Sequence, residues 1–207
     1  MCCTTSGAEE PAAERRRRVA LAGHVGDAGA ARAGLDDPAP AVRATALGAL
    51  ERLGILDDAA LAAASADPAG EVRRRAAELR AGRGATGVAA LEGALRDGDP
   101  SVVEAACFAL GELGAAGAGA VAGLASVAGS HPDPLCREAA VAALGSIGDP
   151  AGLPAVLAAT ADKPAVRRRA VLALAPFEGP DVEAALRRAQ EDRDWQVRQA
   201  AEDLLAT

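Results

Sequence analysis

Few residues in this 207-residue chain could act as nucleophile, general base or metal ligand. The histidines are His24 and His131, and neither is followed by glutamate, so the His-Glu-x-x-His zinc motif is absent. The four cysteines are Cys2, Cys3, Cys107 and Cys136. They show no Cys-x-x-Cys spacing and no paired framework, which argues against both a zinc site and structural disulfides. Cys2 and Cys3 fall on a tail, residues 1–8, expected to be disordered, with no third ligand nearby. Ser130 and His131 place a hydroxyl beside an imidazole, but adjacency without an orienting acid does not make a catalytic pair. Gly117-Ala118-Gly119 with Gly123 mimics a dinucleotide fingerprint, yet it follows a helical pattern where that motif requires a strand. The chain therefore reads as a non-enzyme, with no catalytic, cofactor-binding or metal-ligating residues and no cofactor.

Charge narrows the range of partners. The formal net charge is −7, which opposes general affinity for phosphate backbones or anionic membranes. Every basic residue but Lys163 is arginine, as a GC-rich coding bias produces. The run Arg15-Arg16-Arg17-Arg18 points around a helix and makes no flat patch. A helix over 9–22 would put Glu9-Glu10 near its start and these arginines toward its end, suiting the helix dipole. The polar, then Arg-rich N-terminus has no apolar core of a secretion signal, and no apolar run reaches the roughly 20 residues of a membrane span. A cytoplasmic protein that does not meet membranes is expected, with nucleic acid an unlikely partner.

The elements that carry these residues follow from a repeat. Val42, Val72, Val102, Cys136, Val166 and Val197 begin six copies of one pattern. Alanine recurs four residues on, at Ala46, Ala76, Ala106, Ala140, Ala170 and Ala201. A larger apolar residue follows at seven or eight: Leu50, Leu79, Leu110, Leu144, Leu174, and Leu204 or Leu205. Positions 0, 4, 7, 8 and 11 share one helix face within an arc of about 100°. Aromatics are confined to Phe108, Phe177 and Trp195, so alanine-rich helices packed closely must supply the core.

Asp67-Pro68, Asp99-Pro100, Asp133-Pro134 and Asp149-Pro150 suit helix N-caps, because the carboxylate accepts orphan amides and proline has none to lose. Gly54, Gly114 and Gly148 sit where left-handed C-caps belong. A further helix-length segment lies between each stop and the next motif helix, at about 57–66, 86–96, 118–129, 150–161 and 180–191. The fold expected is an all-α, right-handed α-solenoid of about six helical hairpins behind an N-terminal helix at 9–22, in one domain spanning 9–207. The repeats are set at about 27–54, 57–82, 86–114, 118–148, 150–177 and 180–207. Repeat 2 has Gly70 at the proline position, and repeat 3 has Val103 for the motif arginine. Four extra residues around Gly129–Asp133 mark the expected hinge or specialised loop.

Asp-Pro-x-Val-Arg, followed by alanine and leucine at helical spacing and a closing Leu-Gly, resembles the short HEAT repeat, including the phycobilisome-lyase subtype. The resemblance covers about residues 27–207. It implies that Arg43, Arg73, Arg137, Arg167 and Arg198 form a structural ladder with turn aspartates of neighbouring repeats. It also implies that each motif helix, the second of its hairpin, lines a concave face. Residues two, five and six places after each anchor then make a partner-binding surface. Arg74, Glu104, Phe108, Glu138, Val141, Arg168 and Leu172 are its candidates, with Phe108 foremost; position 5 has the alternative of packing against the adjoining repeat. A protein–protein scaffold holding another protein is the leading expectation, with the chain a monomer on its own. An accessory, chaperone-type lyase acting on a chromophore-bearing client is the alternative, although no residue set here is assigned to that chemistry. Resemblance to HEAT-like DNA glycosylases keeps nucleic acid as a remoter reading. The histidine–glutamate iron pairs of HEAT-like hydroxylases are missing.

Overall fold

Thirteen α-helices and no strand make up the described residues, 10–206, of the computed structural model. Residues 1–8, expected to be disordered and carrying Cys2 and Cys3, lie outside them. The chain forms two units, Met1–Ala76 and Ala77–Thr207.

In the first unit α1 spans Ala12–Val25, α2 Ala28–Ala33, α3 Pro40–Arg52 and α4 Asp58–Ser65. α5, Gly70–Arg80, begins in the first unit and ends in the second. The N-terminal helix sits three residues later than its spacing suggested. Pro11 occupies its N-cap, and Gly26, at φ +86°, ends it in the left-handed region. Gly23 does not stop the helix because it is a packing residue. A Cβ there would lie 2.8 Å from Ala49 Cα, where α1 lies against α3. Val42, Ala46, Ala49 and Leu50 of α3 are buried as the repeat pattern requires. Asp57 caps α4 by accepting from the Ala60 amide at 2.8 Å.

In the second unit four hairpins follow: α6 (Val88–Ala94) with α7 (Pro100–Glu112), α8 (Val121–Ser130) with α9 (Pro134–Ile147), α10 (Leu153–Ala159) with α11 (Pro164–Ala173), and α12 (Pro180–Gln190) with α13 (Trp195–Leu205). Motif helices α7, α9, α11 and α13 pack side by side in chain order, and the first helices α8, α10 and α12 do the same. Alanine and glycine set the spacing. A Cβ on Gly111 would meet Ala143 Cα at 3.2 Å, and one on Gly145 would meet Ala173 Cα at 2.7 Å. Both glycines lie nine residues after their anchors, Val102 and Cys136, so the approach repeats with the sequence. One continuous apolar core runs through the unit from Ala77 to Ala201.

Caps explain the helix boundaries. Asp99, Asp133 and Asp149 accept from the amides of Ser101, Leu135 and Ala151 at 2.9, 2.9 and 2.8 Å. Gly54, Gly114 and Gly148 have φ of +69°, +53° and +68°. Asp67 corrects the reading of Asp67-Pro68 as a cap: α5 begins at Gly70, and the Asp67 carboxylate turns back to the Ala69 amide at 2.8 Å. The four extra residues near Gly129–Asp133 make no added loop. They lengthen α8 to 10 residues, against 7 in α6 and 7 in α10, so Gly129 and Ser130 are helical.

Candidate functional site

Each ladder arginine begins one residue after its anchor, on the first turns of a motif helix. Arg43 grips Asp67 through Nε and Nη2, both at 2.8 Å. Arg137 grips Asp162 in the same bidentate way at 2.7 Å twice, and Arg167 grips Asp192 at 2.9 and 2.7 Å. The third nitrogen of each, Nη1, donates to a carbonyl of the turn before its own helix: Asp37, His131 and Asp162 for these three. Arg73 and Arg198 place Nη1 on the Asp67 and Asp192 carbonyls at 2.8 Å. Arg198 meets no carboxylate among the described residues, so it is corrected from a ladder rung to a brace on its own turn. One planar guanidinium thus fastens two consecutive turns, which a lysine ammonium could not do with this geometry. The arginine hydrogen bonds hold the Asp67, Asp162 and Asp192 carboxyls below their ordinary range, against the opposing effect of burial.

The ladder has a member that the sequence reading missed. Arg15 of α1 grips Asp37 at 2.7 and 2.9 Å and holds its carboxyl at about 2. Counting from Glu14, Arg15 stands at position 1, Gly23 at 9 and Gly26 at 12, the registers of Arg137, Gly145 and Gly148. By this register α1 is itself a motif helix. The dipole explanation of the arginine run is therefore corrected: Arg15 to Arg18 lie in the first half of Ala12–Val25, where the dipole opposes cations. Individual partners hold three of them instead, Asp37 for Arg15, Thr45 for Arg16 and Glu10 for Arg18.

At repeat 3 both halves of a rung change together. Val103, at the arginine position, is fully buried, and the turn after it carries His131 where other turns carry aspartate. His131 Nδ1 accepts from the Asp133 amide at 3.1 Å, the bond that Asp37, Asp67 and Asp97 make with Ala39, Ala69 and Asp99. This histidine is a turn acceptor. Its neighbour Ser130 donates its hydroxyl to the Ser126 carbonyl at 2.8 Å, so the two do not form a nucleophile–base pair.

Burial sorts the candidates for a binding face. Position 5 is interior: Cys107 and Val171 are buried, and Val141 is 0% exposed. Val141 is thereby removed from the partner-binding set, because side-by-side packing of α7, α9 and α11 buries that register. Position 6, 100° further round, faces outward, with Phe108 68% and Leu172 39% exposed. Small Ala142 lies at the same register of α9. One turn earlier, position 2 places exposed Glu104 on α7, half-buried Glu138 on α9 and half-buried Arg168 on α11. Glu138 receives Arg169 at 3.5 Å, while among the described residues neither Glu104 nor Arg168 has an ion-pair partner. Arg74 stands exposed on α5 at that same register, in the first unit. Leu135 and Trp195, at the starts of α9 and α13, are also exposed; they precede the anchors and so lie outside the registers counted from them.

The two described cysteines, Cys107 and Cys136, are buried. Burial raises the Cys107 thiol to about 12 and the Cys136 thiol to about 11, keeping both protonated. Cys136 Sγ donates to the Pro100 carbonyl at 3.3 Å. Among the described residues no three histidine, cysteine or acidic side chains converge as metal ligands, and no helix is long and apolar enough to cross a membrane. Gly117 and Gly123 are explained by packing, since a Cβ would lie 2.8 Å from the Leu110 carbonyl and 2.9 Å from Leu95 Cδ1 respectively.

A family model for HEAT repeats matches residues 88–165 and 121–206, which together span 88–206 and more than half of the chain. The chain belongs to the HEAT repeat family. Its fold is the all-α solenoid of that family. A designed armadillo repeat protein superposes with a TM-score of 0.62 at 18% identity, covering 85% of this chain and 97% of the other. The complex of CpcE and CpcF of phycocyanin lyase from Nostoc sp. matches with a TM-score of 0.59 at 23% identity, covering 86% and 75%. A computationally designed armadillo repeat protein for modular peptide recognition matches with a TM-score of 0.52 at 17% identity, covering 93% and 90%. At these identities the likeness is one of fold. No curated protein matches in sequence.

Proposed function

We propose that this HEAT-repeat chain is a non-catalytic scaffold that binds another protein on the exposed face of its motif helices, around Phe108 and Leu172. The observation that carries the reading is Phe108. It is one of three aromatic side chains, it lies mid-helix on α7, and it is 68% exposed in a repeat whose other apolar registers are buried. Burying such a side chain against a partner is worth about 1.5–3 kcal/mol, enough to anchor an interface. Phe108 stands on a helix whose inner registers are buried against its neighbours, so no backbone has to be ordered at the moment of binding. Neighbours of the same fold include a protein designed for modular peptide recognition, which is compatible with this use of the face. The lyase neighbour supports the alternative of an accessory role on a chromophore-bearing client, to which none of the groups described above is assigned.

Affinity capture from native extract, comparing wild type with Phe108→Glu at matched helicity, tests the proposal. A protein held by the wild type, lost with the variant and rebound directly as a purified component supports it. Equal capture by both refutes the Phe108 face, and an absorbance band acquired from extract would favour the lyase role.

A further inference from the structure

The outward registers of α7, α9 and α11 carry a charge order that says what kind of segment the face accepts. This inference rests on the scaffold reading above. Position 2 presents an unpaired carboxylate at Glu104, a compensated pair at Glu138 and Arg169, and an unpaired guanidinium at Arg168. Position 6, one turn along, presents Phe108, Ala142 and Leu172. Crossing the helices from α7 to α11 therefore leads from negative through neutral to positive, beside two apolar side chains separated by a small one.

We propose that this face binds an extended peptide segment lying across the three helices, with a basic residue over Glu104, apolar residues against Phe108 and Leu172, and an acidic residue over Arg168. Helix axes in contact lie about 8–10 Å apart, so α7 to α11 spans about 16–20 Å. An extended chain advances about 3.3 Å per residue, which separates the basic from the acidic residue by five or six positions. A helix lying along α7 would meet the like-charged carboxylates of Glu104 and exposed Glu112 and leave Arg168 unanswered; a crossing segment meets charges of both signs. The compensated middle gives no reward to a central charge, and Ala142 leaves room there for an apolar side chain. Charge of opposite order on the wrong segment would be repelled at both ends, so the pattern selects as well as attracts.

Selection of a random decapeptide phage library on the purified chain tests this, run in parallel on Phe108→Ser and on the double variant Glu104→Arg with Arg168→Glu. Wild type should enrich peptides with a basic and an acidic residue five or six apart flanking apolar residues, in one order along the peptide. The double variant should enrich the opposite order. A synthetic wild-type-selected peptide should lose at least about 30-fold in affinity for the double variant and recover on exchange of its own two charges. Peptides that need Phe108 but show no charge order, or bind the double variant unchanged, overturn the charge proposal and leave the scaffold reading standing. Pools identical on wild type and Phe108→Ser overturn both.

Discussion

At the residue scale, the guanidinium rung is the feature with the clearest physical consequence. Arg15, Arg43, Arg137 and Arg167 each satisfy a carboxylate and a backbone carbonyl at once, and Asp37 shows the strongest electrostatic effect, its carboxyl held at about 2 from an ordinary 3.8 by Arg15. A carboxyl depressed in the folded state stabilises the fold above its unfolded pKa, and that contribution is lost as pH falls through the folded value. We therefore expect Arg15→Gln to be less stable than wild type by about 1 kcal/mol at neutral pH, as the loss of such a hydrogen-bonded pair commonly costs. The difference should shrink as pH falls from about 4 to about 2, read as converging urea midpoints. A constant gap across that window would show that the pair is not what Arg15 contributes. The arginine positions were legible in sequence because arginine stands one place after five of the six anchors. Arg15 was not, because its anchor position holds Glu14 and its position 4 holds Arg18, which erased the apolar pattern by which the repeat was found. His131 was missed for a similar reason: an imidazole takes over a carboxylate's acceptor role without resembling it.

At the element scale, close approach of motif helices decides the spacing of the array. Gly145 and Gly111 hold one register but differ in tightness: the nearest atom to an added Cβ is 2.7 Å away in one case and 3.2 Å in the other. Gly145→Ala must push α9 and α11 apart, backbone against backbone, and we expect it to cost about 1–3 kcal/mol, the range for overpacking a core. Gly111→Ala should cost clearly less, since a shift of a few tenths of an ångström relieves it. Thermal or urea unfolding of the two variants gives the comparison, and equal losses would contradict a role for steric spacing. Helix existence was readable from the anchor, alanine and leucine spacing. Boundaries were less so. Asp-Pro marks a cap at Asp99 and Asp133 but a rung acceptor at Asp67, and the two differ only in whether the helix begins at the next residue or three residues later. Extra residues near Gly129 were read as a lengthened link because the anchor spacing grows there from 30 to 34; packing of α8 on α9 carries Gly129 and Ser130 as helix instead.

For the whole molecule, the repeat explains the fold more fully than the function. Repetition specifies which registers must be buried, and the anchor and alanine registers read from it are buried in all six copies, whereas position 5 was not recognised as core. A binding face is defined by departures from the repeat, and a single sequence shows departures without saying which are exposed. Val141 and Phe108 illustrate the limit. One residue of register separates position 5 from position 6, yet helix packing buries the first completely and leaves the second two-thirds exposed. Site-specific photo-crosslinking in native extract tests most directly whether the face of α7, α9 and α11 meets a partner. A benzophenone amino acid would replace Leu172 on that face or Arg188, exposed on first helix α12, as a control. We expect one discrete adduct from position 172, abolished by Phe108→Glu, and none from position 188. An adduct from 188 with none from 172 would contradict the assignment and move the interface to the first helices.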